Sequence, residues 1–438
     1  MINVNNAKKK KFCIILFLIG ITIFVFYPTV LNGFLDYWDD QWVVMNHYTE
    51  SGFKLLNLYH VLMDFYNGQY APLNELFYLT VFSIVGYQAF YYHVACLFLH
   101  ILNVILIYYF ILNLSSSSFK LCGYNNRIIA FISALLFSIH PFNVESVAWI
   151  SASKVLIYAF FYLVTMLLFI RFLQTQRRIY YLLSYISFFA SFLGKEQAVT
   201  LPISLLLVSY FLDVNLSKSE VLGWLFPFFM VALFMGITTM LSQQVNEEGI
   251  LSDNVTYSFV QRIVFGCYAY VEYFFKIILP INLLYIYPFP IQAGDTLPVW
   301  LWIYPVALCV IIYSFWRYIR QYPIFWGITF FTINLLPVLH IIPMSRYAIV
   351  ADRYAYLSVI GICFIMAYYI VHWYNFFYGK WKKILFIFFF LYLVGLGTYT
   401  HARISVWMDT NSLKKEIREL LLKRKNYNSE INHMFYNH

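Results

Sequence analysis

Two adjacent carboxylates, Asp39-Asp40, sit within the stretch Leu35-Asp36-Tyr37-Trp38-Asp39-Asp40-Gln41. Neighbouring carboxylates repel, which drives their proton affinities apart and leaves one of them ionised as a base. Such a base can take the proton of a hydroxyl group as its oxygen attacks. An acid pair by itself is commonly a solvated turn, so its meaning depends on what the rest of the chain brings to it. Other polar residues punctuate apolar stretches. His93 and His100 are seven apart, on one side of a helix, with Asn103 nearby. His140-Pro141 is followed by Glu145 and Lys154. Lys195-Glu196 separates two apolar runs, and Arg346, Asp352 and Arg353 come late. Cations of this kind suit a phosphate or diphosphate leaving group. Each residue alone is equally well a helix-end anchor or a local pair; the argument is their convergence on one pole. Two neighbouring carboxylates without further ligands make a poor cation site. No metal ligand set is therefore assigned and no cofactor is required, although a divalent ion at the pair is left open.

The elements that must position these residues follow from composition. Of 438 residues, 62% are hydrophobic and 11% charged, against about 45–50% and about 25% in soluble domains. No soluble core hides such an excess, so lipid is the solvent for most of the chain. A soluble enzyme, a DNA-binding domain and a secreted disulfide scaffold are excluded. The net charge of +9 reads as membrane topology, with no nucleic-acid partner. The six cysteines are scattered through apolar runs without a C-x-x-C pair, as small packing residues are. No G-x-G-x-x-G, Walker A or H-E-x-x-H motif occurs, and no repeat of 20–50 residues is visible.

A spanning helix needs about 20 apolar residues. Eleven windows qualify: 12–31, 90–112, 127–140, 154–171, 178–194, 197–213, 221–241, 298–316, 322–341, 355–374 and 382–400. The predicted fold is an all-α polytopic membrane protein. It has a basic cytoplasmic N-terminus (1–11), whose first span is an uncleaved anchor, a membrane domain (12–400) and a helical tail outside (401–438). With the N-terminus cytoplasmic, the inner loops hold fifteen lysines and arginines and the outer segments up to residue 403 hold eight, the bias that sets orientation. Of the twenty acids only Asp213 and Glu220 fall inside. Segment 258–279 carries Arg262, Glu272 and Lys276 and is read as a surface or re-entrant element within an outer segment, 242–297. The first outer loop, 32–89, is long and polar. A further polar stretch, 242–257, contains Glu247, Glu248, Asp253 and the sequon Asn254-Val255-Thr256. After Trp407, the spacing of Leu413, Ile417, Leu420 and Leu421 predicts an amphipathic helix capped by Asn411 or Ser412, lying on the membrane or opening a partner-binding domain.

The ordered blocks bear a family resemblance. They are Asn32-Gly33-Phe34 with Asp39-Asp40; Tyr92-His93 with His100 and Asn103; Ile139-His140-Pro141-Phe142-Asn143-Val144-Glu145-Ser146; Gly194-Lys195-Glu196-Gln197-Ala198 with Pro202; Leu336-Pro337-Val338; and Ala351-Asp352-Arg353-Tyr354-Ala355-Tyr356-Leu357. Together, over about residues 30–410, they resemble polytopic C-superfamily glycosyltransferases. The nearest likeness is to the transmembrane-and-tetratricopeptide-repeat O-mannosyltransferase family and its bacterial relatives. The resemblance implies eleven spans, an extracytoplasmic active site and inverting transfer of a sugar such as mannose. The donor would be a polyprenyl-phosphate-linked sugar, and the acceptor a hydroxyl of a protein, glycan or lipid. Asp39 or Asp40 inherits the role of base. Lys154, Arg346 and Arg353 are assigned to the donor phosphate, with Asp352, His93, His140, Glu145, Lys195 and Glu196 as further substrate residues. A bacterial inner membrane is expected over the endoplasmic reticulum. Two departures stand out. Relatives often have Arg-Lys-Asp where this chain has Ser153-Lys154-Val155. The lead into the repeats, Arg403-Ile404-Ser405-Val406-Trp407-Met408-Asp409, precedes only about 30 residues, so the acceptor-recruiting repeats are expected to be missing. The competing class is a transporter, or a lipid-linked glycan flippase or ligase. A transporter would favour inverted repeats and broken helices at mid-membrane depth, which the sequence does not display.

Overall fold

The computed structural model describes residues 4–66, 68–117, 125–212, 219–244, 257–291, 294–341 and 348–422. The polar stretch 245–256 with its sequon, and Arg346, lie outside these residues.

In an apolar medium a backbone must satisfy its own N–H and C=O groups, so the apolar runs fold as helices. Helix α1 (Val4–Phe26) ends in a 3-10 turn, Tyr27–Leu31. The loop that follows, read from sequence as long and polar, is largely helical: α2 (Asp40–Val43), α3 (His47–Ser51), α4 (Leu55–Met63) and α5 (Pro72–Val85). Local signals explain this difference. Asn46 caps α3 by accepting from the Thr49 N–H, Pro72 supplies a pre-set φ in the first turn of α5, and Gly52 and Gly86 end α3 and α5 at positive φ.

Helix α6 (Ala89–Ser117) leads through an undescribed linker to α7 (Asn126–Ser138), which Asn125 caps. At His140-Pro141 the chain bends by 53° before α8 (Val144–Ala148). Then follow α9 (Ser153–Thr175), α10 (Arg178–Gly194), α11 (Leu201–Phe211), α12 (Ser219–Gln244) and α13 (Phe259–Ile278), the last opened by a Ser258/Gln261 capping box. The remainder is α14 (Ile303–Ile319), α15 (Tyr322–Leu335), α16 (Ser358–Phe376), α17 (Lys380–Ile404) and α18 (Thr410–Leu422). One short antiparallel ladder pairs β1 (Tyr287–Pro288) with β2 (Ala348–Val350). Helix α9 packs against α6 and α10 at the centre. Helices α15 and α16 cross at Gly327 and Gly361, where a Cβ on Gly361 would lie 2.3 Å from the Gly327 carbonyl oxygen.

Every one of the eleven apolar windows contains a helix, but not every helix is long enough to cross. Among the described residues seven are: Lys9–Leu31, Ala89–Ser116, Ile150–Thr175, Ser219–Ser242, Val299–Ile319, Ser358–Phe376 and Lys380–Trp407, with the bent pair α7–α8 making an eighth. Helices α10, α11 and α15, with 17, 11 and 14 residues, are shortened by Gly194-Lys195 and by 3-10 turns at Glu196–Thr200 and Leu336–Val338. Helix α13 is not among the crossing helices; its Glu272 and Lys276 pair at 3.7 Å. The crossing windows of α14 and α17 bury only 6% and 11% of their residues inside the fold, so large apolar side chains such as Phe315 and Phe388 face outward. Exposed apolar surface on this scale marks contact with lipid. The chain is an all-α, multi-pass membrane protein.

Candidate functional site

The two acids of the pair have different surroundings. Asp40 opens α2 and is 1% exposed. Its Oδ2 accepts the Leu35 N–H at 2.9 Å, and its Oδ1 accepts the Ser151 N–H at 3.1 Å and the Ser151 hydroxyl. Burial pushes its carboxyl up to about 6, against the opposing pull of those three bonds. Asp40 thus ties the first loop to the turn between α8 and α9. Asp39 is partly exposed, and its carboxylate makes no hydrogen bond among the described residues. Burial raises its proton affinity, while the charges of Arg353 and then Lys154 lower it.

Those cations arrive from distant parts of the chain. Arg353 lies in a 3-10 turn, Asp352–Ala355, placed by the β1–β2 ladder just before it. Its backbone N–H donates to Glu145 Oε2 at 2.7 Å and its guanidinium pairs with Glu145 Oε1. It also lies over the rings of Trp149 at 5.1 Å and Tyr354 at 4.8 Å. Lys154, in the first turn of α9, donates to the Gln69 side-chain carbonyl. Asp352 is buried and accepts the Tyr287 hydroxyl at 3.0 Å; burial, then the charge of Glu145, holds its proton affinity well above the usual carboxylate range.

An aromatic frame surrounds these charges. Trp38 Nε1 donates to the Tyr285 hydroxyl at 2.9 Å. Tyr285 sits edge-on to Trp149 and Trp407, which stack on each other with centroids 5.3 Å apart.

Asp39, Asp40, Glu145, Lys154, Asp352 and Arg353 therefore share one junction. Lys195 is a layer behind it, buried, with Nζ 5.0 Å from the Tyr354 ring and 5.9 Å from the Tyr158 ring; Glu196 follows it in the 3-10 turn and acts electrostatically on Tyr158. His93 lies beneath the first loop, its Nε2 3.4 Å from the Gly33 carbonyl oxygen and its Nδ1 without a partner among the described residues. His140 is turned to other work: Nε2 meets the Ile277 carbonyl oxygen at 2.8 Å and Nδ1 accepts the Phe142 N–H, so it fastens the bend to the end of α13.

Four residues of the junction carried no role in the sequence reading: Ser151, Tyr285, Trp407 and Glu75. Only Ser151-Ala152-Ser153, a small polar triplet opening an apolar run, offered a signal. Glu75 accepts from Asn46 Nδ2 at 3.0 Å; burial lifts its carboxyl to about 7, against Asn46 and then Lys154. It lines a narrow pocket with Trp42, Tyr48, Asp64, Tyr66 and Gln69. Among the described residues, no three His, Cys, Asp or Glu side chains are placed to hold a metal ion.

No protein-family model matches this chain, and no curated protein matches it in sequence.

Proposed function

We propose that the chain is a membrane glycosyltransferase that moves a sugar from a polyprenyl-phosphate donor to a hydroxyl acceptor. The observation that carries this reading is Asp39, a carboxylate without a hydrogen bond of its own among the described residues, beside two cations that join it from far along the sequence. The ordered motif blocks support it. In the reaction, Asp39 takes the proton of the acceptor hydroxyl as that oxygen bonds to the anomeric carbon. The bond from that carbon to the phosphate oxygen breaks on the opposite face, so the configuration inverts. The lipid phosphate leaves with the bonding pair, its charge met by Lys154 and Arg353, with Arg346 as the third expected cation. Asp40 holds the loop and does not react. Glu145 pairs with Arg353, and Lys154 donates to the Gln69 side-chain carbonyl, so both cations stand beside Asp39 to meet an incoming phosphate.

The same reading takes eleven passes, the short helices α10, α11 and α15 included, with the N-terminus cytoplasmic and the junction on the far side. Nucleotide sugars are not normally available there, which favours a lipid-borne donor. The test is transfer from a polyprenyl-phosphate sugar by purified protein. Loss of transfer in Asp39→Asn with the fold retained supports the assignment; full activity in that variant defeats it.

A further inference from the structure

Asp39 has an unusual dependence on its backbone. A carboxylate held by its own hydrogen bonds keeps its place even when the chain around it shifts; Asp39 has none among the described residues. Its position rests on what grips the residues on either side. On the C-terminal side the grip is Asp40 on Ser151. On the N-terminal side Leu35 is held by Asp40 and the Gly33 carbonyl by His93, while three further grips lead, one of them through Tyr285, to the last part of the described chain. The Gly33 N–H donates to the Met408 carbonyl at 3.0 Å. The Thr410 hydroxyl donates to the Asp36 carbonyl at 2.6 Å. Trp38 donates to Tyr285, whose ring packs on Trp407. Trp407 is 1% exposed and stacks on Trp149, the ring that Arg353 covers. The segment is itself fixed: Leu413 and Ile417 are buried, and Arg403 pairs with Glu416 while acting on Asp352.

We infer that the segment from Ser405 through α18 is a positioning element for Asp39, and that Trp407 is its central residue, setting the distance between the Asp39 backbone and the Trp149–Arg353 pair. This rests on the proposed glycosyl transfer for its kinetic consequence, but not for its structural one. A base displaced by a fraction of an ångström loses rate rather than ground-state affinity.

The experiment uses full-length protein in nanodiscs and the variants Trp407→Ala and Trp407→Phe. Backbone hydrogen exchange is read over residues 33–43 and over α9, and transfer kinetics are read on a polyprenyl-phosphate sugar. In Trp407→Ala the 33–43 amides should exchange about tenfold faster or more while α9 is unchanged. In the same variant kcat should fall on the order of 10- to 100-fold with donor KM within about twofold. Trp407→Phe, which keeps a ring in the stack, should restore most of both. Unchanged exchange at 33–43, or an equal rise in α9, overturns the inference. So does a change in KM alone. Should the wild-type protein transfer no sugar, the exchange result still decides the clamp, and the proposed function alone falls.

Discussion

Two polar regions of this molecule are built from the same kinds of residue and differ in what their partners leave undone. The first is a seam inside the helical core. There the His100 ring meets the Tyr356 hydroxyl at 2.7 Å and the Ser138 carbonyl at 3.5 Å, and Asn103 Nδ2 donates to the Leu156 carbonyl at 3.0 Å. Tyr162 donates to Ser204, and Thr200 to Asn334. These bonds join α6, α7, α9, α11, α15, the 196–200 turn and the turn before α16, and each uses a neutral partner, although Asn103 Oδ1 has no partner among the described residues. The second is the junction of the first loop with α8, the 352–355 turn and the chain's late segment. Its groups are charged, drawn from distant stretches, and Asp39 is left with opposite charges nearby but, among the described residues, no hydrogen bond. Buried polar groups fix structure when their bonding is complete; chemistry needs a group whose bonding is not.

The sharpest way to break this contrast is Asp39→Asn. Removing the base should lower transfer by on the order of 10³-fold with thermal stability within about 0.5 kcal/mol of wild type, as assayed on a lipid-linked sugar and by thermal unfolding. The wild-type rate should rise with pH along an acid limb, because Asp39 works only when deprotonated. The midpoint of that limb should lie above the ordinary carboxylate value of about 3.9, in the direction that burial shifts this group. The limb should vanish in Asp39→Asn.

Asp40 tests the boundary between the two regions. Its folded-state proton affinity, about 6, is raised above that of the unfolded chain. Its contribution to stability is therefore full below about pH 3.9 and is lost as pH rises through about 6, a span worth roughly 3 kcal/mol. Unfolding measured from pH 4 to 7 should show a decline that is smaller by roughly this amount in Asp40→Asn, the remainder coming from Glu75 and Asp352, whose carboxyls are also raised.

In the seam, Asn103→Leu should cost about 1–3 kcal/mol of stability by removing its bonds to the Leu156 carbonyl and the Tyr356 hydroxyl while leaving kcat within about twofold. A large fall in kcat there would erase the distinction. The smallest effect is expected from Lys154→Gln, which removes one charge facing the donor: donor KM should rise about tenfold, equal to about 1.4 kcal/mol, and the rise should shrink as salt increases.

Much of this architecture was legible because apolar run length reports directly on helices in lipid. All eleven windows hold helices, and Asp39, Asp40, Glu145, Lys154, Asp352 and Arg353 meet at one junction, while Lys195 and Glu196 lie behind it and Arg346 is outside the described residues. What was not legible depended on backbone detail. Seven of the described helices, eight with the bent pair, are long enough to cross, because the break at Gly194-Lys195-Glu196 and the 3-10 turns leave α10, α11 and α15 short, which hydropathy windows do not report. The first loop is helical because of caps at Asn46 and Pro72, which a reading of polarity passes over. The cap of α18 is Asp409, whose Oδ1 accepts the Ser412 N–H at 2.8 Å, in place of the expected Asn411 or Ser412. That helix lays Leu413 and Ile417 against its own chain. Asp39 and Asp40 were indistinguishable as letters; Ser151, 111 residues beyond Asp40, tells them apart. His140 looked like a site residue because a histidine before proline is conspicuous, but both its ring nitrogens serve the backbone.

The bond between Asp36 and Thr410 spans 374 residues. A ribosome adding about 5–20 residues per second needs roughly 20–75 s to make the second partner after the first. Through that interval the acid pair has emerged, and Ser151 can secure it from one side, but its other fastening does not yet exist. Assembly of the junction therefore waits for residue 410: a nascent chain just short of it carries Asp39, Lys154 and Arg353 but lacks the Thr410 bond to the first loop.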